Sequence, residues 1–416
     1  MNNTLPKNSA SSVFIHSLIF MLPFLALISS FGVGLCSFAF LLAAIVCRRR
    51  AWTALRRHLP AVRGVLIAFG LALALALLNF WFSAGALLRD LEKPSRMLAA
   101  ATVMLTVLAL QPSRKALWWG LIAGSMAGAA FIAYQRWGMG VERPGGLINS
   151  ITFGDIVLCM GLLCLAGMQD FAGRAAIWPG LGALAGLTGS IASGTRGGWV
   201  AIIFAIIVLV RYGHVLRGRL RKGLALLALG LMVSTYFIPQ TGARARIDQG
   251  VSDIQQYVSG GETYTNVGIR LELWRGALRL IERRPLLGAN PATERAELTA
   301  LVAAHQVHPY VLEFPHYHND ILQTLVFGGV VGLLVWGATL LAPFLFFVRL
   351  LNSPESVAAG VTAPALAGLL LVLSYFSFGL TEVIFWSVRS CMFYALMLFL
   401  LTGLCLNAQE RARVAA

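Results

Sequence analysis

Residues 175–211 read AAIWPGLGALAGLTGSIASGTRGGWVAIIFAIIVLVR: two apolar runs joined by a short turn, SGTRGGW (193–199), that holds one arginine among three glycines. Similar apolar runs recur along the chain, at about 12–30, 33–47, 64–83, 96–111, 116–134, 151–168, 175–192, 198–211, 223–239, 321–348, 362–380 and 388–406. Most approach the length of a bilayer crossing, and two are short for one. A soluble chain of 416 residues would form two or three domains with roughly a quarter of its residues charged. Here 12% are charged and 58% are apolar. The expected fold class is therefore an all-α polytopic membrane protein of about twelve transmembrane helices, since only helices or closed barrels satisfy the backbone inside lipid.

The basic loops orient these spans. CRRRAWTALRRHLPAVR (47–63) and RYGHVLRGRLRK (211–222) are the densest basic connectors. With both termini cytoplasmic they fall on one side, leaving 18 Lys/Arg inside and 7 in short outer loops, with 8 more in the long segment 240–320. The net charge of +16 is accounted for by this pattern. Nucleic-acid binders instead gather Lys and Arg on one exposed face, so no nucleic-acid partner is expected. Cys36, Cys47, Cys159, Cys164, Cys391 and Cys405 all lie in or at the ends of apolar blocks with no CxxC pair, as small apolar fillers do. Residues 13–29 follow a polar stretch with only Lys7 and lack a convincing cleavage site, which makes them an uncleaved first span.

Three regions follow: 1–239 with spans one to nine, 240–320 as a loop region outside the membrane, and 321–416 with spans ten to twelve and a short cytoplasmic tail. In the loop, VGIRLELWRGALRLIERRP (267–285) repeats Ile269, Leu273, Trp274, Ala277, Leu280 and Ile281 at helical spacing. It should lie along the outer interface. A second helix is expected over 291–306, with Thr293 as its N-cap.

A turn between spans needs glycines but not an arginine. The glycines of SGTRGGW let an anion reach backbone N–H groups ahead of a helix, and Arg196 adds a planar fork suited to phosphate. Arg270 stands at the start of the amphipathic helix, where the dipole also favours an anion. Its neighbours Arg275, Arg279, Arg283 and Arg284 could equally face anionic lipid. In FPHYHNDILQTLVFGG (314–329), Asn319 or Asp320 is placed to cap the entering span, and His316 and His318 stand beside it. A metal could draw on these histidines, Asp320 and His305 or His308, but HxH in a loop is not the helical HExxH spacing and no acidic cluster accompanies it. Plain interfacial histidines are a third reading. A general base fits as well, because imidazole titrates near neutral pH. RDLE (89–92) carries a D-x-E pair of the kind that binds divalent-metal diphosphates, although such pairs are frequent by chance. Together, two arginines to hold a diphosphate and a histidine to activate a hydroxyl suggest transfer from a lipid diphosphate to an alcohol.

SGTRGGWVA, RLELWRGALRLIERRPLLGAN and HYHNDILQTLVFGGVVGLL, in that order and spacing, resemble the signature of the O-antigen ligase and polymerase superfamily, over about a third of the chain (190–335). The resemblance implies a GT-C-type glycosyltransferase of a Gram-negative inner membrane, with its active site facing the periplasm. Such enzymes move glycan from undecaprenyl diphosphate to a sugar hydroxyl of lipid A–core, inverting the anomeric centre without a metal or other cofactor. Carried over residue by residue, Arg196 and Arg270 would grip the donor diphosphate and His318 would be the catalytic base. His316 is extra to the motif. Together with Arg275, Arg143 and Arg389 it is an accessory candidate.

An O-antigen polymerase is the alternative within the superfamily. The ligase is favoured by the single large loop in the final third and by a basic outer surface suited to a phosphorylated acceptor. Protein-glycosylating relatives often add a soluble region that this chain, ending about ten residues past the last span, lacks. A lipid-linked sugar flippase or other transporter would show internal repeats and charge within its spans. Only Asp155 comes near that.

Overall fold

Apolar blocks bounded by glycine and proline fold as helices because intrahelical bonds satisfy the backbone where lipid cannot. The computed structural model describes residues 10–82, 87–195, 197–212, 223, 230 and 243–415, with no strand among them. The first half contains α1 (Ala10–Phe24), α2 (Gly32–Val46), α3 (Arg48–Phe82), α4 (Glu92–Ala99), α5 (Ala101–Leu110), α6 (Lys115–Ala133), α7 (Ser150–Gly167), α8 (Ile177–Ser193) and α9 (Val200–Arg211). Then come α10 (Ala243–Val258), α11 (Asn266–Arg283), α12 (Pro291–Ala303), α13 (Asp320–Asn352), α14 (Pro354–Ala358), α15 (Thr362–Gly379) and α16 (Val388–Ala415).

Eight helices among the described residues are long and apolar enough to cross a membrane: Arg48–Phe82, Leu88–Leu110, Lys115–Gly138, Ser150–Asp170, Gly173–Ser193, Asp320–Asn352, Thr362–Gly379 and Val388–Val414. Blocks 12–30, 33–47 and 198–211 form shorter apolar helices, and block 223–239 lies outside the described residues apart from 223 and 230. The basic connector 47–63 is not a loop: it is the first half of α3. Arg, Leu and Ala are strong helix formers, and Arg57 Nη1 and His58 Nε2 tie this stretch to Glu410 at 2.9 and 2.6 Å.

α7, α15 and α16 form the centre, where Phe153, Tyr375, Phe378, Phe393, Tyr394 and Phe399 are fully buried. α7 packs on α6, α8 and α15. Small residues let α7 and α8 approach closely, for a Cβ on Gly186 would stand 2.6 Å from the Gly161 Cα. Outward-facing Leu71, Leu77 and Leu78 on α3, and Ile203, Ile206 and Ile207 on α9, present apolar surface, as helices facing lipid do.

Between α9 and α13 lies a lobe with its own core: Leu273, Ala277 and Leu280 of α11, Leu298 and Leu301 of α12, and Val307, Tyr310, Val311, Tyr317 and Val326. Ile269, Trp274 and Ile281 pack against its margin. The apolar stripe of α11 is thus covered by protein, where an interfacial helix had been expected. α12 is capped by the Asn290 side chain, which accepts from Thr293 N–H at 2.8 Å, so Asn290 and not Thr293 is the cap. Pro291 at the first helical position fixes that register.

The lobe is bolted to α13 where the helix breaks. Gly329 has φ +58, and a Cβ there would stand 2.2 Å from the Leu286 carbonyl carbon. The break admits the 285–289 backbone: Val330 N–H donates to Pro285 O at 2.8 Å, Val331 N–H to Leu286 O at 3.2 Å, and Ala289 N–H to Val326 O at 2.8 Å. Only glycine permits both the left-handed backbone and that approach.

Candidate active site

The chain leaves the lobe and enters α13 through His316, Tyr317, His318 and Asn319. Asn319 Oδ1 accepts from Leu322 N–H at 3.0 Å, so of Asn319 and Asp320 it is Asn319 that caps α13, while its Nδ2 donates to Leu380 O at 3.0 Å. That second bond fastens the motif to the loop between α15 and α16. Tyr317 points the other way, into the lobe: its N–H donates to Gln323 Oε1 at 3.1 Å and its carbonyl accepts from Trp274 Nε1 at 2.9 Å. Its hydroxyl bonds Glu294. With both neighbours held, His318 adopts φ +49, a left-handed conformation uncommon for a residue with a side chain. Such strain persists where surrounding structure over-determines it.

The α15–α16 loop supplies a residue that no sequence motif marks. Glu382 is buried, and both its oxygens face His318 Nδ1, at 3.0 and 3.2 Å. His316 Nδ1 lies 3.6 Å from the same carboxylate. Burial opposes ionisation of Glu382, but the bond and charge of His318, the nearness of His316 and the Val383 N–H hold its carboxyl below the ordinary value. Burial lowers His316 against the pull of Glu382, with His318 and Arg270 adding to the depression. With a carboxylate on Nδ1, the favoured neutral tautomer of His318 carries its proton there and leaves Nε2 as an acceptor. A cavity of about 450 Å³ opens before this ring.

Arg270, Arg143, Gly194, Thr195, Gly197 and Thr381 line that cavity with His318. Arg270 is four residues into α11, whose N-cap Thr265 accepts from Gly268 N–H at 3.1 Å. Neither Arg270 nor Arg143 has a hydrogen-bond or ion-pair partner among the described residues. Burial pushes the Arg270 guanidinium below its ordinary value; Glu382 opposes this and Arg143 adds to it. Two cations without such partners among the described residues, in a cavity whose one lining carboxylate, Asp253, accepts from Val267 N–H at 3.3 Å, suit an anion.

The glycines of SGTRGGW separate into two roles. Gly194 ends α8 with φ +77. Gly197 and Gly198 allow close packing, since Cβ atoms there would lie 2.4 Å from Thr381 Oγ1 and 2.2 Å from Asp155 Oδ1. Arg196 lies outside the described residues. Its neighbours on both sides, Thr195 and Gly197, border the cavity.

The structure thus brings together His318, His316, Arg270 and Arg143. Arg275 pairs with Glu272 at 3.4 Å and does not line the cavity. Arg389 lies in a separate groove beside α2. RDLE is taken up locally: Asp90 accepts from Leu87 N–H at 2.9 Å, and Glu92 pairs with Arg96 at 2.9 Å. The acid that joins the histidines is Glu382, not Asp320, which is buried at the start of α13. Ligand atoms of His316, His318 and Glu382 lie within 4.8 Å of one another, a donor set that suits a divalent ion as well as a base and its orienting acid.

Residues 181–337, which span the glycine-rich turn, the lobe and the histidine motif, match the sequence model of the O-antigen ligase family. That match supports membership of the O-antigen ligase superfamily. An uncharacterized protein of Haemophilus influenzae is similar at 23% identity over 272 residues, which is 64% of this chain and 68% of that protein. The family that matches implies a membrane glycosyltransferase-like ligase or polymerase activity, and the eight long apolar helices agree with a multi-pass membrane protein. Most residues lining the cavity beside His318 lie within the matched region; Arg143, Ile151 and Thr381 lie outside it.

Proposed function

We propose that the protein is an O-antigen ligase. It takes glycan from undecaprenyl diphosphate and attaches it to a sugar hydroxyl of lipid A–core, at the periplasmic face of the inner membrane with both termini cytoplasmic. The observation that carries the reading is the pairing of His318 with Glu382 at the mouth of a cavity holding two unpartnered arginines.

In this mechanism the donor diphosphate sits against Arg270 and Arg196, with Arg143 nearby, and its prenyl tail stays in the bilayer. The acceptor hydroxyl approaches the opposite face of the anomeric carbon. Its oxygen bonds to that carbon as the carbon–oxygen bond to diphosphate breaks, and its proton passes to His318 Nε2. Glu382 fixes the ring and stabilises the imidazolium that forms, as a carboxylate does behind a catalytic histidine. The arginines stabilise charge growing on the departing diphosphate. One displacement inverts the centre.

The test is a reconstituted transfer reaction with lipid-linked O-antigen and lipid A–core in excess EDTA. Wild type should transfer, and His318→Ala should fall by about 10²–10⁴-fold, the usual contribution of a positioned base. Lengthening of the donor glycan in place of transfer would make the protein a polymerase. Transfer abolished by EDTA would convert His316, His318 and Glu382 into metal ligands and remove the base from this mechanism.

A further inference from the structure

A second group of cations lies beyond His316, away from Arg270. The Trp386 ring packs 5.4 Å from His316, and Lys93 Nζ stands 5.1 Å over that indole while donating to Phe385 O at 3.5 Å. One turn further along α4, Arg96 faces a groove of about 510 Å³ whose other cation is Arg389, at the start of α16. The groove is otherwise largely apolar, with Phe31, Val33, Leu35 and Met392 among its walls. Phe31 and Leu35 are exposed on the outside of the bundle, so hydrocarbon would reach the groove directly.

Arg389 is only partly satisfied by the protein among the described residues. Nη2 donates to Ser30 O at 3.3 Å, but Nη1 is buried with no partner among the described residues. A guanidinium N–H removed from water and left unpaired costs free energy. A phosphate entering the groove would meet the accessible part of the Arg389 guanidinium and, in place of the partly exposed Glu92 at 2.9 Å, Arg96. The apolar walls and open flank suit acyl chains attached to that phosphate.

We propose that the groove between Arg96 and Arg389 docks the acceptor: a phosphorylated, acylated glycolipid held by its phosphate. The assignment rests on the transfer reading above and deepens it. A single displacement needs leaving group and incoming hydroxyl on opposite faces of one carbon. The Arg270 cavity and this groove share no lining residue; His318 lines the cavity, and the contacts His318–His316–Trp386–Lys93 lead from it to α4, which carries Arg96. Lys93 and Trp386 occupy the path from the docked phosphate to the base.

The experiment is direct binding of radiolabelled acceptor glycolipid to the full-length protein in nanodiscs, without donor, for wild type and Arg389→Gln. Loss of one charge-assisted phosphate contact should weaken binding about tenfold or more. Acceptor stripped of its phosphates should bind both proteins equally weakly, and excess phosphatidylglycerol should not displace the intact acceptor. In transfer reactions Arg389→Gln should raise the acceptor KM and leave the donor KM unchanged. Arg96→Gln, at an exposed position, repeats the test if Arg389→Gln does not fold. Equal binding by wild type and variants overturns the proposal, as does displacement by phosphatidylglycerol, which would mark a bulk-lipid site. A raised donor KM would make Arg389 a donor contact and sink it too. Wild type that binds acceptor in the groove yet transfers nothing would remove the transfer reading while the groove stands.

Discussion

The bundle and the lobe are built by different means. In the bundle, large apolar side chains such as Phe378, Phe393 and Phe399 are buried without polar partners, and the ion pairs of Glu410 lie at its far end. The lobe has a core of ten buried residues among those described, and polar bonds add to what holds its shape. Buried Glu272 accepts from Tyr257 Oη at 2.6 Å, His308 N–H at 2.9 Å and Arg275 Nη1 at 3.4 Å. Tyr310 Oη donates to Thr263 O at 3.0 Å, and Arg295 Nη1 to Leu312 O at 2.7 Å. Elements with few buried apolar contacts open at lower free energy than the core. The active-site pair straddles the two regions: His318 closes the lobe and Glu382 belongs to the bundle. The chemistry therefore requires the more labile region to be docked on the more rigid one.

The largest effect expected from breaking that join is chemical. Glu382→Gln keeps the shape of the side chain but removes the charge that orients and stabilises His318. The comparable change behind a catalytic histidine costs up to about 10⁴-fold, so kcat should fall by about 10²–10⁴-fold with donor KM little changed. A near-normal kcat would show that His318 needs no partner from the bundle. Stability gives a second readout. The folded state holds Glu382 below its ordinary 4.5, so it contributes stability that is present above that value and lost as pH falls through the depressed one. Thermal melts should show an acid limb below about pH 4.5 in wild type, shallower in Glu382→Gln.

Gly329→Ala should come next. It leaves every active-site group in place but forces a side chain into φ +58 and against the Leu286 backbone. A strained backbone position costs about 1–3 kcal/mol. Hydrogen exchange should rise at Ala289, Val330 and Val331, whose amides make the join, and across the lobe, while α7, α15 and α16 stay protected. Equal loss in both regions would mean that they unfold as one unit.

How far the sequence disclosed each region follows the same division. Hydropathy alone locates the long spans, because lipid permits little else. The Asn319 cap and the helix over 267–285 were legible from local spacing. Glu382 was not: 64 residues separate it from His318, and no local pattern links them. Its one visible sign is a lone carboxylate in the short FGLTEVIFW loop (378–386) between two apolar blocks. The direction of the α11 stripe was equally hidden, since apolar spacing specifies that a face is covered but not whether lipid or protein covers it. Arg389 shares the charge and setting of Arg143 in sequence, and only the packing of α2 and α4 against α16 separates the two.

The smallest effect separates the lobe's interior from its rim. Arg284 Nε pairs with Glu297 Oε1 at 2.9 Å, but the Arg284 side chain is 50% exposed. Exposed pairs contribute about 0–1 kcal/mol and weaken with salt. Arg284→Ala should therefore shift lobe exchange by no more than about fivefold at 0.15 M salt, and by nothing measurable at 1 M. A loss approaching that of Gly329→Ala would mean that surface charge holds the lobe on the bundle. The active-site pair would then be salt-sensitive, with wild-type kcat falling as ionic strength rises. An unchanged kcat across that range would leave the Gly329 join and the small apolar core as what keeps His318 against Glu382.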